Sequence, residues 1–113
     1  MRVFALSFLF LLASCNQTTI AGQLFDKIWE LSTIAGQPPI ACRNPNRLLF
    51  IDNGTNYTVQ VWPLCVQYNV EVYDLTIDGD VITFNGWDFV VTTITQTTLL
   101  LEINGVEFRY YSR

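Results

Sequence analysis

Residues 98–112, TLLLEINGVEFRYYS, are two runs of alternating character set around Asn104-Gly105. Leu99, Leu101 and Ile103 share one side of an extended strand, and Val106, Phe108 and Tyr110 join that side across the turn. Glu102, Glu107 and Arg109 point the other way. Asn-Gly supplies two consecutive positive-φ positions, which a two-residue loop of the primed type demands. The stretch therefore predicts a β-hairpin with one buried face and one wet face. With a loop this short, Glu102 stands opposite Glu107, a mildly unfavourable pair that Arg109 on the diagonal relieves.

The same grammar runs back through the chain. Runs rich in Val, Ile, Thr, Phe and Tyr fall at about 28–35, 47–52, 57–62, 65–77, 81–85, 88–96, 98–103 and 106–112. Asn53-Gly54, Asp78-Gly79 and Asn85-Gly86 separate several of them as Asn104-Gly105 does the last pair, and each predicts a two-residue turn. Links of this length force antiparallel neighbours, because parallel pairing needs a crossover of a dozen or more residues. Only residues 36–46, GQPPIACRNPN, make a long connection, and their prolines exclude them from a central strand. In the fourth run Val66, Tyr68, Val70 and Val72 carry the apolar face, then Leu75 and Ile77 do. That change of phase predicts a bulge near Tyr73-Asp74.

Eight meandering strands with one apolar face each leave two raw edges unless the sheet closes. The expected fold is all-β, an eight-stranded antiparallel meander closing into a small barrel. Leu24, Phe25, Ile28 and Trp29, at helical spacing, predict a short helical turn before the first strand. An eight-stranded barrel is just wide enough to be filled by side chains or to hold one small ligand. Trp29, Phe50, Tyr68, Phe84, Phe108 and Tyr110 are the residues that would line such a cavity, or else form a plain core.

The amino terminus carries an address. Arg2 is followed by a mostly large apolar run from Val3 to Ala13, which ends in small residues, the three parts of a secretory signal peptide. The run is shorter than the ~20 residues a helix needs to cross a bilayer. Its last four residues, Leu12-Ala13-Ser14-Cys15, resemble the bacterial lipoprotein lipobox. The resemblance implies that residues 1–14 are removed and that the Cys15 thiol takes a diacylglycerol and its freed amine an acyl chain such as palmitate. Several chains on one cysteine anchor a protein stably. The membrane is then the expected partner, through covalent lipid on Cys15. The expected localisation is the bacterial cell envelope, on the outer membrane facing the periplasm, with Asn16 after the lipidated Cys compatible with that destination.

Residues 15–23 then read as lipidated Cys and tether, and residues 24–113 as one small domain. Loss of Arg2 takes the formal net charge from −4 to −5, and no two basic residues of the remainder lie closer than Arg43 and Arg47. Nucleic acid is a poor partner for such a chain. Cys42 and Cys65 are an even pair in an oxidising compartment, which predicts one disulfide.

Trp29-Glu30-Leu31 on the first strand, a Thr-rich approach to Leu99-Leu100-Leu101, and the tail Arg109-Tyr110-Tyr111-Ser112-Arg113 resemble the small lipocalin-like domains of bacterial lipoproteins. In lipocalins a Gly-x-Trp motif and an Arg of the last strand close the bottom of the barrel. Trp29 matches the Trp, Arg109 or Arg113 matches the Arg, and Lys27 stands where the Gly would be. The resemblance implies a binder of small apolar ligands. Trp29, Leu31, Ile34, Gly36 and Pro38 also resemble the opening of META and heat-shock HslJ-like envelope domains. The Gly-Cys-Asn signature of those domains is absent, since Val66 and Gln67 follow Cys65.

Catalysis finds little support. The chain has no His, so the commonest general base is missing and a Ser or Cys nucleophile lacks its usual activator. Asp78 and Asp80 flank Gly79 as a turn, without the longer acidic loop and closing Glu of a calcium hand. Asn16, Asn53 and Asn56 sit in glycosylation sequons that matter only in a eukaryotic secretory route. The expectation is a non-catalytic protein without cofactor or metal, binding a small apolar ligand. The alternative is an envelope-protein interaction or inhibitor module with a filled barrel.

Overall fold

β-Branched and aromatic residues in alternation, cut by Asn, Asp and Gly, form eight strands in the computed structural model, which describes residues 20–65 and 69–113. They are β1 (Ile28–Ile34), β2 (Arg47–Asp52), β3 (Tyr57–Trp62), β4 (Glu71–Asp78), β5 (Val81–Phe84), β6 (Trp87–Ile94), β7 (Thr98–Ile103) and β8 (Val106–Ser112). Each strand pairs antiparallel with the next, and β8 pairs with β1, closing the meander into a barrel. The β7–β8 hairpin has the expected register, with Leu101 opposite Phe108 and Glu102 opposite Glu107. Arg109 Nη2 lies 4.0 Å from Glu107 Oε1 and offsets part of that like-charge pairing.

The turns are of more than one kind. Asn85-Gly86 and Asn104-Gly105 have positive φ at both residues, as a primed two-residue loop requires. Asp78 stays in β4, paired with Val81, and the β4–β5 loop is Gly79-Asp80 with only Gly79 at positive φ. Between β2 and β3 the loop spans residues 53–56. There the Asn53 amide bonds to the Asn56 carbonyl and Asp52 Oδ1 accepts from the Gly54 amide, so Asn53-Gly54 sits inside a four-residue turn.

The expected bulge near Tyr73-Asp74 is absent. β4 begins at Glu71 and pairs regularly with β3, Thr58 facing Asp74 and Val59 facing Tyr73. Its phase never changes: Tyr73, Leu75 and Ile77 face inward, while Val70 and Val72 are exposed on the outside. The bulges lie instead in β1, between Leu31 and Thr33, and in β6, between Val91 and Thr93. In each case the next core side chain comes three residues on, at Ile34 and Ile94.

The helical piece also sits earlier than expected, at residues 20–24, and residues 28 and 29 belong to β1. It caps one end of the barrel. Leu24 is fully buried, its carbonyl accepts from the Trp29 indole Nε1 at 3.0 Å, and Phe25 packs on Tyr57 with ring centroids 5.0 Å apart. This plugged end also carries the β2–β3, β4–β5 and β6–β7 turns. Lys27 Nζ donates to the Gln96 carbonyl in the last of these and to Gln23 Oε1.

The far end carries the two long connections and the Asn85-Gly86 and Asn104-Gly105 turns. Cys42 and Cys65 are disulfide-bonded there, Cα atoms 5.5 Å apart, joining the β1–β2 connection to the β3–β4 connection. A bridge spanning 23 positions removes loop entropy from the unfolded chain worth roughly 3 kcal/mol. Replacing both cysteines by serine is expected to lower the unfolding free energy by about that amount. Urea titrations should show it as a lower midpoint, and an unchanged midpoint would mean the bridge constrains nothing.

Candidate functional site

The barrel interior is solid. Trp29, Phe50, Val59, Ile82 and Leu99 have no surface open to water, and a void wide enough for a ligand would leave surface on the side chains that lined it. Phe84 stacks on Phe89 at 4.9 Å between centroids and meets Phe50 edge-on at 6.2 Å, so the aromatic residues fill the space with each other. Tyr110 is buried as well. Its hydroxyl donates to Asn46 Oδ1 at 2.9 Å, and desolvation raises its pKa far above the ordinary tyrosine value. Among the residues expected to line a cavity, Trp29, Phe50, Phe84 and Tyr110 are therefore core. Tyr68 lies outside the described residues, as do Cys15 and the signal segment. Phe108 reaches a concave surface.

That surface is the mouth at the far end. β6, β7 and β8 each continue their inward-facing series one position beyond the filled core, at Trp87, Ile103, Val106 and Phe108. There these side chains line an open depression of about 280 Å³, with Asn104 beside them. Trp87 is 53% exposed and Val106 36% exposed, which is unusual for side chains of inward phase. The volume falls just below the roughly 300–1,000 Å³ typical of small-molecule pockets. It accommodates one large apolar group from outside.

A larger trough of about 480 Å³ lies at the plugged end, between the β2–β3 turn and β4. Asp52, Thr55, Asn56 and Thr76 supply polar walls beside Tyr57, Leu75 and Ile77. It is an open seam between a hairpin and its neighbour, with no convergent set of side chains. The described residues hold no cluster of His, Cys, Asp and Glu with metal-binding geometry.

Charge is unevenly placed around the mouth. Each apolar wall residue has an outward-facing carboxylate as its sequence neighbour: Asp88 after Trp87, Glu102 before Ile103, and Glu107 between Val106 and Phe108. Thr83 Oγ1 donates to Asp88 Oδ1 at 2.7 Å and fixes that carboxylate. Arg109 is the basic residue beside this group, and it shares its guanidinium between Glu107 and the Tyr111 hydroxyl.

The cations that the sequence resemblance pointed to do other work. Arg109 faces outward on β8, and Arg113 donates to Glu30 Oε1 at 2.7 Å, where Arg47 Nε also arrives at 3.0 Å. The hydrogen bond from Arg113, joined by that from Arg47, outweighs partial burial and holds the Glu30 carboxyl below its usual pKa. Lys27 takes the position over the Trp29 ring, 5.4 Å from its centroid. It also reaches the β6–β7 turn. A lysine before the tryptophan thus closes the barrel end where an arginine of the last strand was expected.

Sequence reasoning missed Trp87 because the sixth run was begun at residue 88, although Trp87 is the first residue of β6 and faces Phe84 across the Asn85-Gly86 turn. Its signal was parity: Trp87, Phe89 and Val91 share one phase, so the first of them must stand at the mouth. No protein-family model, curated protein or solved structure matches the chain.

Proposed function

We propose that the chain is a lipoprotein of the bacterial cell envelope, anchored through Cys15, whose lipocalin-like barrel is a non-catalytic docking module. It works from the open mouth, not from an internal cavity. The observation that carries this reading is the contrast between fully buried Trp29, Phe50 and Leu99 and half-exposed Trp87 in the same inward-facing set. A filled interior has no space for a lipocalin-type ligand, whereas an exposed apolar ring with a polar rim is the usual anatomy of a protein contact. The periplasmic face of the outer membrane is the proposed location.

Native mass spectrometry of the full chain purified from membranes tests the choice between the two barrel readings. Its mass before and after denaturation should be the same, covalent lipid included. A non-covalent adduct lost on denaturation would replace the docking module with a binder of a small apolar ligand.

A further inference from the structure

Residues 35–46, between β1 and β2, form a strap whose two ends the barrel holds without help from the disulfide. At its start the Ala35 amide donates to the Glu107 carbonyl at 2.7 Å, and Ile34 and Gln37 exchange backbone hydrogen bonds. At its end the Asn46 carbonyl accepts from the Leu31 amide at 2.9 Å. The Asn46 side chain donates to the Trp62 carbonyl and accepts from the buried Tyr110 hydroxyl. The middle is held differently. Residues 40–43 are exposed, Ile40 to 78%, and Pro38 and Pro39 have no amide hydrogen to donate. There the Cys42–Cys65 bridge and a hydrogen bond from the Cys65 amide to the Asn44 carbonyl, 2.8 Å long, tie the strap to the β3–β4 connection. Both cysteines are exposed. Cys65 has a φ of 63°, a left-handed conformation that a residue other than glycine keeps only where its surroundings hold it.

From this we infer that the bridge is a redox-operated clasp: a dithiol opens it in the folded protein and frees the middle of the strap while the barrel stays closed. The inference is independent of the docking reading. A thiolate of the dithiol attacks the sulfur of either cysteine, the S–S bond breaks, and the other cysteine leaves as a thiolate and takes up a proton. The second thiolate of the dithiol then resolves the mixed disulfide. The dithiol becomes a disulfide, and its two electrons and two protons end on the thiols of Cys42 and Cys65. Exchange of this kind needs access to the bridge, and the surface position of both cysteines provides it. Opening lets Cys65 leave its left-handed conformation and gives Ile40 freedom to move. The foot of the strap is bonded at Glu107, between the mouth residues Val106 and Phe108, so the freed segment starts beside the mouth. The β2–β3 ladder runs from the Arg47–Trp62 pair to the Asp52–Tyr57 pair without using the bridge.

The strap carries its own reporter. Arg43 is exposed beside Cys42, whereas Arg47 and Arg109 lie in β2 and β8, so trypsin reads strap and barrel at separate bonds. The full chain is treated with dithiothreitol in the absence of denaturant, its free thiols are alkylated and mapped by peptide mass, and it is then exposed briefly to trypsin. Cys42 and Cys65 should both be alkylated, with the far-UV circular dichroism unchanged. Cleavage after Arg43 should be about tenfold faster than in the oxidised chain, because it follows the population of the open strap and about one hydrogen bond's worth of restraint is lost. Cuts after Arg47 and Arg109 should stay slow. Oxidised glutathione, added before alkylation, should restore the bridge and the slow cut. The double variant Cys42→Ser, Cys65→Ser should be cut at the fast rate with or without dithiothreitol. Thiols that react only in urea that unfolds the barrel would overturn the clasp and make the bridge a structural staple. So would an unchanged rate after Arg43, cuts after Arg47 or Arg109 as fast as that after Arg43, or a bridge that does not re-form.

Discussion

Replacing Trp29 by Ala is expected to lower the unfolding free energy by about 4 kcal/mol, within the range of roughly 3–5 kcal/mol seen for large aromatic truncations in cores. Trp29 has no exposed surface and stands where β1, the helical plug and the barrel core meet. Truncation leaves a cavity next to Phe50 and Leu24, and removes the indole donor from the Leu24 carbonyl. The plug then loses its hydrogen bond to the barrel, and Lys27 loses the ring it covers. Small domains are stable by only about 5–15 kcal/mol, so the loss is a large share of the whole. Urea unfolding followed by far-UV circular dichroism measures it without relying on the deleted fluorophore. Trp29→Phe keeps most of the packing and loses the N–H, so it should fall between wild type and Trp29→Ala. Trp87→Ala, at the mouth, should stay within about 0.5 kcal/mol of wild type, as exposed sites do. A Trp29→Ala barrel within 1 kcal/mol of wild type would show that the plugged end contributes little to the fold.

That contrast separates two tryptophans which look alike in the sequence, and it marks what alternation can and cannot reveal. Strand positions were legible because Thr98 to Ser112 and its counterparts carry both the period of two and the turn residues that end it. The closed meander followed, since Asn85-Gly86 and Asn104-Gly105 leave room only for antiparallel neighbours. Phase was less legible. Val70 and Val72 are apolar, and assigning them to the core forced a bulge at Asp74. They lie on the outer face, and the uninterrupted series Tyr73, Leu75, Ile77 sets the register of β4. The true bulges were written as three-residue gaps, Leu31 to Ile34 and Val91 to Ile94, where an inward residue arrives one place late. Isolated gaps of that size look like noise until the partner strand is known.

Which residues face the barrel axis was legible, but where the candidate site lies was not. An eight-stranded barrel fixes that inward residues meet at the axis, so Trp29, Phe50, Phe84 and Tyr110 were placed correctly as a group. Whether they enclose a void depends on rotamers such as the stacked Phe84 and Phe89, and no pattern of residue types encodes those. Lys27 was read as a departure from a motif and turned out to bridge Trp29, Gln23 and the β6–β7 turn. Its role arises from the plug, a helical turn that was expected before the first strand but placed four residues too late, so that Lys27 was not seen to lie between it and Trp29.

Changing Cys15 to Ser is expected to abolish lipid incorporation and to move the protein from the membrane to the soluble fraction, with the barrel intact. One acyl chain gives only marginal membrane binding, and two or more give stable anchoring, so losing the acceptor of all of them is an all-or-none change. Five positions separate Cys15 from Ile20, the first residue of the plug, and fully extended they reach at most about 17 Å. A lipid at Cys15 would therefore hold the plugged end against the bilayer and turn the mouth with Trp87 away from it, toward a partner. Palmitate labelling and flotation on a density gradient measure the loss of anchoring. Circular dichroism and the retained Cys42–Cys65 bridge verify that the barrel survives. If the serine variant still floats with membranes as wild type does, the anchor lies elsewhere and the orientation argued from the short tether falls with it. If the variant is soluble with its barrel intact, anchoring and folding are separate properties of one small barrel. The lipid would then set only where the mouth is presented.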